Sequence, residues 1–160
     1  MIAIALGANL GDRLAQLVAA RQALADLLIL TASSAIYETP PWGVVAQPSF
    51  LNAVCLGTTT RSPQALLEGL QAIETRLGRT PTVRWGPRVV DLDLLVYDDL
   101  VCDDPVLTLP HPRLHERAFV IVPFAEIAPT LRHPILGTTL AQIKATLDTR
   151  SIQPAAVQWA

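Results

Sequence analysis

The sequence predicts an α+β fold, in which helices pack on one face of a mainly antiparallel sheet. Its length of 160 residues suits one compact domain, which we place over residues 1–160. Hydrophobic residues make up 51% of the chain, which is enough for a core. Short apolar segments and segments with helical apolar spacing alternate twice in the order strand, helix, strand. This repeated order decides the fold class.

The first strand-helix-strand unit ends at a pair of prolines. Residues 2–6 are apolar and predict a buried opening strand. Asp12 is placed to cap a helix whose apolar spacing runs over residues 14–28. Residues 30–38 predict one continuous second strand, which ends before Pro40 and Pro41 because proline cannot donate to a strand ladder.

The second unit has the same order. Residues 50–60 predict a strand, Ser62 and Pro63 the start of a helix that ends at Gly78, and residues 89–97 a fourth strand. Two such units form the split βαβ repeat of a ferredoxin-like α/β sandwich. The predicted C-terminal additions are a short strand near residues 100–102, helices over 116–127 and 139–147, and a tail that forms a strand or no regular structure.

Composition narrows the partners of the chain. A net charge of −2 provides no field that attracts nucleic acid, and no apolar run is long enough to cross a bilayer. Cys55 and Cys102 lack the spacing of metal ligands, and the N-terminus lacks the basic region of a signal peptide. We therefore expect a cytoplasmic monomer that acts on small molecules and has no nucleic-acid or membrane partner.

Asp91 and Asp93 stand near the start of the fourth predicted strand. Because successive strand side chains point to opposite faces, the two carboxylates share one face, with Cα atoms roughly 6.6–7 Å apart. Acids at this spacing are commonly a solvent-facing pair on an amphipathic strand. Residues 94–96 are fully apolar, however, which favours a central strand whose acids need a partner. A divalent metal would supply that partner.

Arginines cluster around this pair. Six of the eleven arginines fall between residues 76 and 117. Arg84-Trp85-Gly86-Pro87-Arg88 sets two of them on a turn, where guanidinium groups can bind phosphate in a bidentate manner, although an ordinary surface loop could have the same composition. Arginines beside a carboxylate pair indicate phosphoryl chemistry. Residues 7–12 lack the GK[ST] ending of a P-loop, which excludes a Walker-type site.

Two further features point to a ligand. His111 lies between two prolines, an extended context that presents its ring to a phosphate oxygen, although a lone histidine is commonly incidental. Trp42 and Phe50 flank a loop next to Asn52, whose amide both donates and accepts. Stacking faces with edge hydrogen bonds suit a flat heteroaromatic ligand, although such aromatics also fill cores.

Taken together, these residues resemble those of a known family. The blocks that carry the resemblance follow one order over nearly all of the chain to about residue 129. They are Gly7-Ala-Asn-Leu, Glu38-Thr-Pro-Pro, Gln47-Pro-Ser-Phe-Leu-Asn52, Gln71 with Glu74, Gly78-Arg79, Arg84 to Asp93, Leu109-Pro-His-Pro, Arg117-Ala-Phe119 and Glu126-Ile-Ala-Pro129. In them the chain is similar to the 6-hydroxymethyl-7,8-dihydropterin pyrophosphokinases of folate biosynthesis.

The resemblance implies that the pterin hydroxymethyl oxygen attacks the β-phosphorus of ATP and that AMP is released. ATP would be the co-substrate, and Asp91 and Asp93 would bind two Mg²⁺ ions. The residues implied in catalysis are these two aspartates with Arg79, Arg84, Trp85 and Arg88. Those implied at the nucleotide are Gln71, Glu74, Thr108, His111 and Arg117. Those implied at the pterin are Thr39, Pro40, Pro41, Trp42, Phe50, Asn52 and Phe119.

Three positions depart from the family pattern. Pro81 stands where many members have an arginine, Pro112 where some have an aromatic, and Phe50 where some have tyrosine. Two other functions also fit parts of the sequence: a nucleotide-sugar transferase that uses Asp-Leu-Asp as its metal motif, and a ferredoxin-like module that binds a ligand without catalysis. Release of AMP would distinguish the pyrophosphokinase from both.

Overall fold

The computed structural model describes residues 1–40, 48–78 and 89–159. In chain order, the elements in these ranges are β1 (Ile2–Ala8), α1 (Arg13–Leu24), β2 (Ile29–Ser33), β3 (Tyr37–Thr39), β4 (Phe50–Thr58), α2 (Pro63–Arg76), β5 (Asp91–Tyr97), β6 (Cys102–Asp103), β7 (Thr108–Leu109), a 3-10 helix (Leu114–Glu116), α3 (Ala118–Ile127), α4 (Leu140–Thr146) and β8 (Gln153–Pro154). Of the helices in these ranges, none combines the length and apolar character that crossing a membrane requires.

β1 lies at the centre of an antiparallel sheet. It pairs with β4 on one side and with β5 on the other, in the order β5-β1-β4-β3-β8, while β2 also pairs with β4. α1 connects β1 to β2 and α2 connects β4 to β5, so each half of the sheet is a split βαβ unit. The ferredoxin-like topology predicted from the sequence is confirmed.

Helices cover both faces of this sheet, so the prediction that one face is covered is wrong. One cluster joins Ile4 and Leu6 of β1 to α1 and α2. A second cluster joins Ala3 of β1 and Val54 of β4 to Phe124 of α3 and to α4. β1 and β4 are buried on both faces, and β5 is buried over residues 94–96, so a second helical layer is needed to cover them. The fully buried Phe124 contributes about 1.5–3 kcal/mol to this layer.

The predicted helix starts are confirmed at α1 and α2. The Asp12 carboxylate accepts the Ala15 N–H at 3.0 Å, and the Ser62 hydroxyl accepts the Ala65 N–H at 3.1 Å. Gly78 follows α2 with a φ of +97°, the left-handed conformation that glycine adopts readily at a helix end. Local side-chain chemistry therefore sets the boundaries of both helices, although α1 is shorter than its apolar spacing predicts.

The predicted continuous second strand is wrong, because the chain leaves the ladder between β2 and β3. Ser34 makes the bonds at the break: its N–H donates to the Val54 carbonyl and its hydroxyl accepts the Val54 N–H, both at 2.9 Å. The Ala35 N–H then donates to the Glu126 carboxylate of α3 at 2.9 Å. The Tyr37 hydroxyl donates to the same carboxylate at 2.6 Å. These bonds tie β3 to the end of α3.

The C-terminal tail, which the sequence leaves open between a strand and no regular structure, forms a short strand at one edge of the sheet. β8 pairs with β3, and the Ala155 N–H donates to the Ile36 carbonyl at 2.9 Å. The Trp159 indole N–H donates to the Ser34 carbonyl at 2.7 Å. The Arg21 guanidinium lies over the Trp159 ring, 5.1 Å from its centroid. The tail therefore covers the break between β2 and β3.

Candidate active site

The start of α3 and the sheet beside it form an open cleft. The strand register explains its floor. Asp91 of β5 lies opposite Gly7 of β1, which in turn lies opposite Asn52 of β4. In the next row, Asp93 lies opposite Ala5. One row of the sheet therefore runs from a carboxylate to an amide.

Asp91 and Asp93 form the acidic end of this cleft and share one face of β5, as their spacing predicts. Further along the same face, Leu95 is buried against α3. The Asp93 carboxylate lies 3.7 Å from the Arg117 guanidinium, and its side chain is 32% exposed. These two carboxylates, the acidic pair, lie side by side on one accessible face of β5. They fit Mg²⁺, which proteins hold by one or two carboxylates together with substrate phosphates.

Glu74 reaches β5 from α2, beyond the edge of the sheet. It is 7% exposed, and its carboxylate accepts the Leu92 N–H at 2.7 Å. This N–H points away from β1. Because β5 is an edge strand of the described sheet, no strand there lies on that side to accept the bond. Glu74 therefore fixes the backbone between Asp91 and Asp93.

His111 lies beside the acidic end with its ring fixed. Its N–H donates to the Leu95 carbonyl at 2.8 Å, and its ring Nδ1 accepts the Arg113 N–H at 3.2 Å. The pKa of His111 is lowered to about 4, mainly by burial and also by the Arg117 charge, while Asp91 opposes the shift. At neutral pH the ring is therefore uncharged, carries its proton on Nε2, and can donate it to an anion.

Arg117 connects the two ends of the cleft. It immediately precedes α3, is 7% exposed, and lies 3.7 Å from the Asp93 carboxylate. Its guanidinium carbon lies 5.7 Å from the centroid of the Phe119 ring. Burial lowers the pKa of Arg117 and Asp93 opposes the shift, but an arginine keeps its charge in proteins. A buried cation between the acidic pair and an aromatic ring suits an anionic substrate.

At the opposite end of the cleft, Asn52 is held in one orientation. Its Nδ2 donates to the Thr39 hydroxyl at 2.5 Å, and both side chains are buried. Its Oδ1 lies over Gly7, where a Cβ atom would come within 2.8 Å of it. Phe50 and Phe119 are half-buried and also line the cleft. An oriented amide with two aromatic rings can bind the edge and the faces of a flat heterocycle.

The structure brings together predicted residues from three strands and the start of α3. Those that line the cleft are Thr39, Pro40, Phe50, Asn52, Asp91, Asp93, Arg117 and Phe119. Of the other predicted nucleotide residues, Gln71 is exposed on α2, Thr108 lies in β7, and Glu74 and His111 bond the β5 backbone. The predictions for Pro41, Trp42, Arg79, Arg84, Trp85 and Arg88 lie outside the described residues.

The sequence alone predicts no role for the apolar floor of the cleft. Ala5 and Gly7 of β1 and Val120 of α3 line it, and their small or apolar side chains carry no chemical signal. The signal that could have found Gly7 is a glycine inside an otherwise apolar strand, which marks a close approach of another group.

Comparison with known proteins identifies relatives of the chain. A family model described as 7,8-dihydro-6-hydroxymethylpterin-pyrophosphokinase (HPPK) matches residues 3–129. The chain is 45% identical over 152 residues to the 2-amino-4-hydroxy-6-hydroxymethyldihydropteridine pyrophosphokinase of Methylorubrum extorquens. The aligned region covers 94% of this chain and 95% of that protein. It is 47% identical over 129 residues to the protein of the same name from Bacillus subtilis, covering 78% and 75%.

A likeness in fold extends to a crystal structure of wild-type Plasmodium falciparum HPPK-DHPS with pterin and p-hydroxybenzoate. The TM-score is 0.72 at 14% identity, over 90% of this chain and 42% of that one, so this chain spans less than half of that protein. At this identity the likeness supports the fold alone. The family model and the relatives in bacteria go further: the chain belongs to the 7,8-dihydro-6-hydroxymethylpterin-pyrophosphokinase family.

Proposed function

We propose that the chain transfers the pyrophosphoryl group of ATP to the hydroxymethyl group of 6-hydroxymethyl-7,8-dihydropterin, a step of folate biosynthesis. The observation that carries this proposal is the row across the cleft, in which the Asp91 carboxylate and the oriented Asn52 amide occupy one face of the sheet on either side of Gly7. A phosphate-bearing substrate and a flat heterocycle could therefore bind next to each other. Membership of the family supports these substrates.

The acidic pair, Asp91 and Asp93, is the proposed site of the phosphates. Asp91 and Asp93 would hold two Mg²⁺ ions, which when bound neutralise phosphate charge and align the reacting oxygens. Arg117 and the Nε2–H of His111 would bind phosphate oxygens beside this pair of carboxylates. Glu74 would keep the two aspartates in place through its bond to the Leu92 N–H at 2.7 Å. Phosphoryl transfer depends mainly on such positioning and charge stabilisation.

The amide end is the proposed site of the pterin. Because the Asn52 Nδ2 already donates to the Thr39 hydroxyl, its Oδ1 would accept from the amino and ring N–H groups of the pterin edge. Phe50 and Phe119 would hold the two faces of the ring. Pro40, Pro41 and Trp42 are proposed to complete this end of the site.

The remaining predicted residues are proposed to act on the nucleotide. Arg79, Arg84, Trp85 and Arg88 precede β5 in the chain, and the guanidinium groups of the three arginines suit the phosphates. Gln71 and Thr108 are proposed at the nucleotide as well. In the reaction, the hydroxymethyl oxygen bonds to the β-phosphorus, the bond from that phosphorus to the α–β bridging oxygen breaks, and AMP leaves. The hydroxyl proton passes to solvent.

The test is incubation of the protein with ATP, Mg²⁺ and 6-hydroxymethyl-7,8-dihydropterin, followed by separation of the nucleotide products. AMP formed in equal amount to the pterin diphosphate is the expected result. A reaction without the pterin controls for hydrolysis of ATP. Release of ADP, or no turnover by a folded protein, would overturn the proposal. We propose that the active form is a cytoplasmic monomer, and light scattering at the assay concentration tests the oligomeric state.

A further inference from the structure

The segment from the end of β1 to the first residue of α1 carries a motif that the proposed function does not use. Residues 7–13 include two glycines and an asparagine, a composition like that of a phosphate-binding loop, but they lack the lysine of a P-loop. In the structure, side chains of this segment contact residues 48–52 instead. That second segment leads into β4 and carries Phe50 and Asn52.

Asn9 makes the first of these contacts. It is 1% exposed, and its Nδ2 donates to the Pro48 carbonyl at 3.0 Å. Proline has no N–H, so the carbonyl is the only backbone group through which this residue can be bonded. A buried amide is costly to leave unbonded, and the contact therefore fixes the two segments relative to each other.

Arg13 makes the second contact. Its Nη1 donates to the Ser49 carbonyl at 3.0 Å and lies 3.4 Å from the Glu38 carboxylate. The start of α1 is itself fixed, because Asp12 caps the helix. The guanidinium therefore ties the residue before Phe50 to a rigid helix end.

Gly7 allows a third close approach, because it has no side chain. A Cβ atom at this position would lie 2.8 Å from the Asn52 Oδ1 and 3.7 Å from the Phe50 ring. The shorter distance is below any that real Cβ atoms tolerate, so a side chain here would displace the Asn52 amide. The glycine thus keeps open the place that the amide occupies.

We propose that residues 7–13 are a positioning element for the pterin end of the cleft. Gly7, Asn9 and Arg13 hold residues 48–52 so that Phe50 and Asn52 face the ligand. This inference rests on the proposed function, since it concerns the same ligand. Asn9 and Arg13 bond the backbone of the amide end and do not line the cleft. Losing them weakens pterin binding and leaves nucleotide binding unchanged.

Two variants test the element. Arg13→Ala removes a side chain that is 31% exposed and leaves no buried donor without a partner. Asn9→Asp keeps the volume but replaces the donor by an acceptor that faces the Pro48 carbonyl. The matched control is Arg61→Ala, since the Arg61 Nη2 also joins two segments by donating to a carbonyl, that of Asp26 at 3.2 Å, beyond the other end of β4.

The binding of fluorescent 6-hydroxymethylpterin is titrated at saturating Mg²⁺ and a non-hydrolysable ATP analogue, and binding of the analogue alone is measured by calorimetry. We expect the pterin Kd to rise about 5–30-fold in Arg13→Ala and Asn9→Asp. The nucleotide Kd should stay within about twofold, and the control should change neither constant. Circular dichroism confirms that each variant is folded.

An unchanged pterin Kd in folded Arg13→Ala would overturn the inference. Equal losses of pterin and nucleotide affinity would overturn it too, because they indicate a general loss of structure. If wild-type protein with ATP, Mg²⁺ and the dihydropterin releases no AMP, the proposed function fails instead. Failure of the inference is therefore seen in the binding constants of the variants, and failure of the proposed function in the AMP assay of the wild-type protein.

Discussion

At the residue scale, the charge of Asp93 has two proposed partners, a metal ion and Arg117. It is proposed to bind metal, and it lies 3.7 Å from the buried Arg117 guanidinium. Asp93→Asn keeps the volume of the side chain and removes its charge. We expect kcat for AMP release to fall at least about 100-fold, because metal-centred charge stabilisation contributes several kcal/mol. Product chromatography measures the rate, and circular dichroism checks the fold.

The control for this prediction is another aspartate on a strand. Asp103 is exposed on β6 and does not line the cleft. Asp103→Asn should keep wild-type turnover. Near-normal turnover of Asp93→Asn would contradict the metal role, whereas equal losses in both variants would indicate damage to the fold.

Polar residues of the candidate site could be predicted from sequence because they stand out in apolar surroundings. Asp91 and Asp93 precede an apolar run, and Asn52 interrupts an apolar strand. Gly7 is different, because its role depends on what lies opposite it. The register of β1 against β4 places Asn52 there, and pairing between distant strands is not written in either segment alone.

At the element scale, β5 depends on a helix for a bond that a sheet usually provides. The Leu92 N–H donates to the buried Glu74 carboxylate at 2.7 Å. Glu74→Ala should lower the free energy of unfolding by about 1–3 kcal/mol, because the N–H loses a charged acceptor. Urea unfolding measures this change. Glu68→Ala on the exposed face of α2 should stay within about 0.5 kcal/mol, and equal stability of both variants would contradict the role of Glu74.

The turn between α3 and α4 depends on a neutral histidine. The Nδ1 of His133 accepts the N–H groups of Ile135 and Leu136, both at 3.1 Å, and the residue is 4% exposed. Burial lowers the pKa of His133, and the neighbouring His115 lowers it further. A folded-state pKa below the unfolded value of about 6.5 means that protonation favours unfolding, so this stabilisation is present above that pH and is lost as the pH falls.

We therefore expect the stability difference between wild type and His133→Ala to shrink as the pH is lowered from about 7.5 to about 5. Thermal unfolding at several pH values measures it. Thr139→Ala is the control, because Thr139 caps α4 through the Gln142 N–H and does not titrate. A difference for His133→Ala that is constant with pH would show that its ring does not change protonation on unfolding.

Elements with local causes could be predicted, and those with distant causes could not. Asp12 and Ser62 cap their own helices, and both starts followed from the sequence. The break between β2 and β3 depends on Glu126, which lies 91 positions from Ala35. Nothing near Ser34 in sequence announces that partner, and a continuous strand was therefore the expected pattern. The second helical layer could have been foreseen from β4, which is buried on both faces.

At the scale of the whole molecule, the faces and edges of the sheet are covered by different structural elements. α1 and α2 cover one face, and α3 and α4 cover part of the other. Glu74 bonds the edge at β5, and β8 pairs along the edge at β3. Among the described residues, none covers the part of the second face next to the start of α3, and this is where the acidic pair and the oriented Asn52 lie. In the part of the chain that the structure describes, the candidate site therefore lies where the second helical layer ends.

Removing the tail tests how far the rest of the sheet depends on it. Deleting residues 153–160 removes β8, the bond from Ala155 to the Ile36 carbonyl, and the packing of Trp159 against the core. We expect a loss of about 2–4 kcal/mol in the free energy of unfolding, because apolar burial and hydrogen bonds disappear together. Because β3 then becomes an open edge, the truncated protein should also associate with rising concentration.

Urea unfolding and light scattering measure these two effects of the deletion. Trp159→Phe is the matched control, since it keeps β8 and one aromatic ring, and loses the bond to the Ser34 carbonyl with part of the apolar contact, at a cost of about 1–2 kcal/mol. AMP release should persist at temperatures where the truncated protein is folded, because no described tail residue lines the cleft. A truncated protein as stable and monomeric as wild type would show that β3 needs no cover, and loss of turnover in folded protein would place the tail in the site.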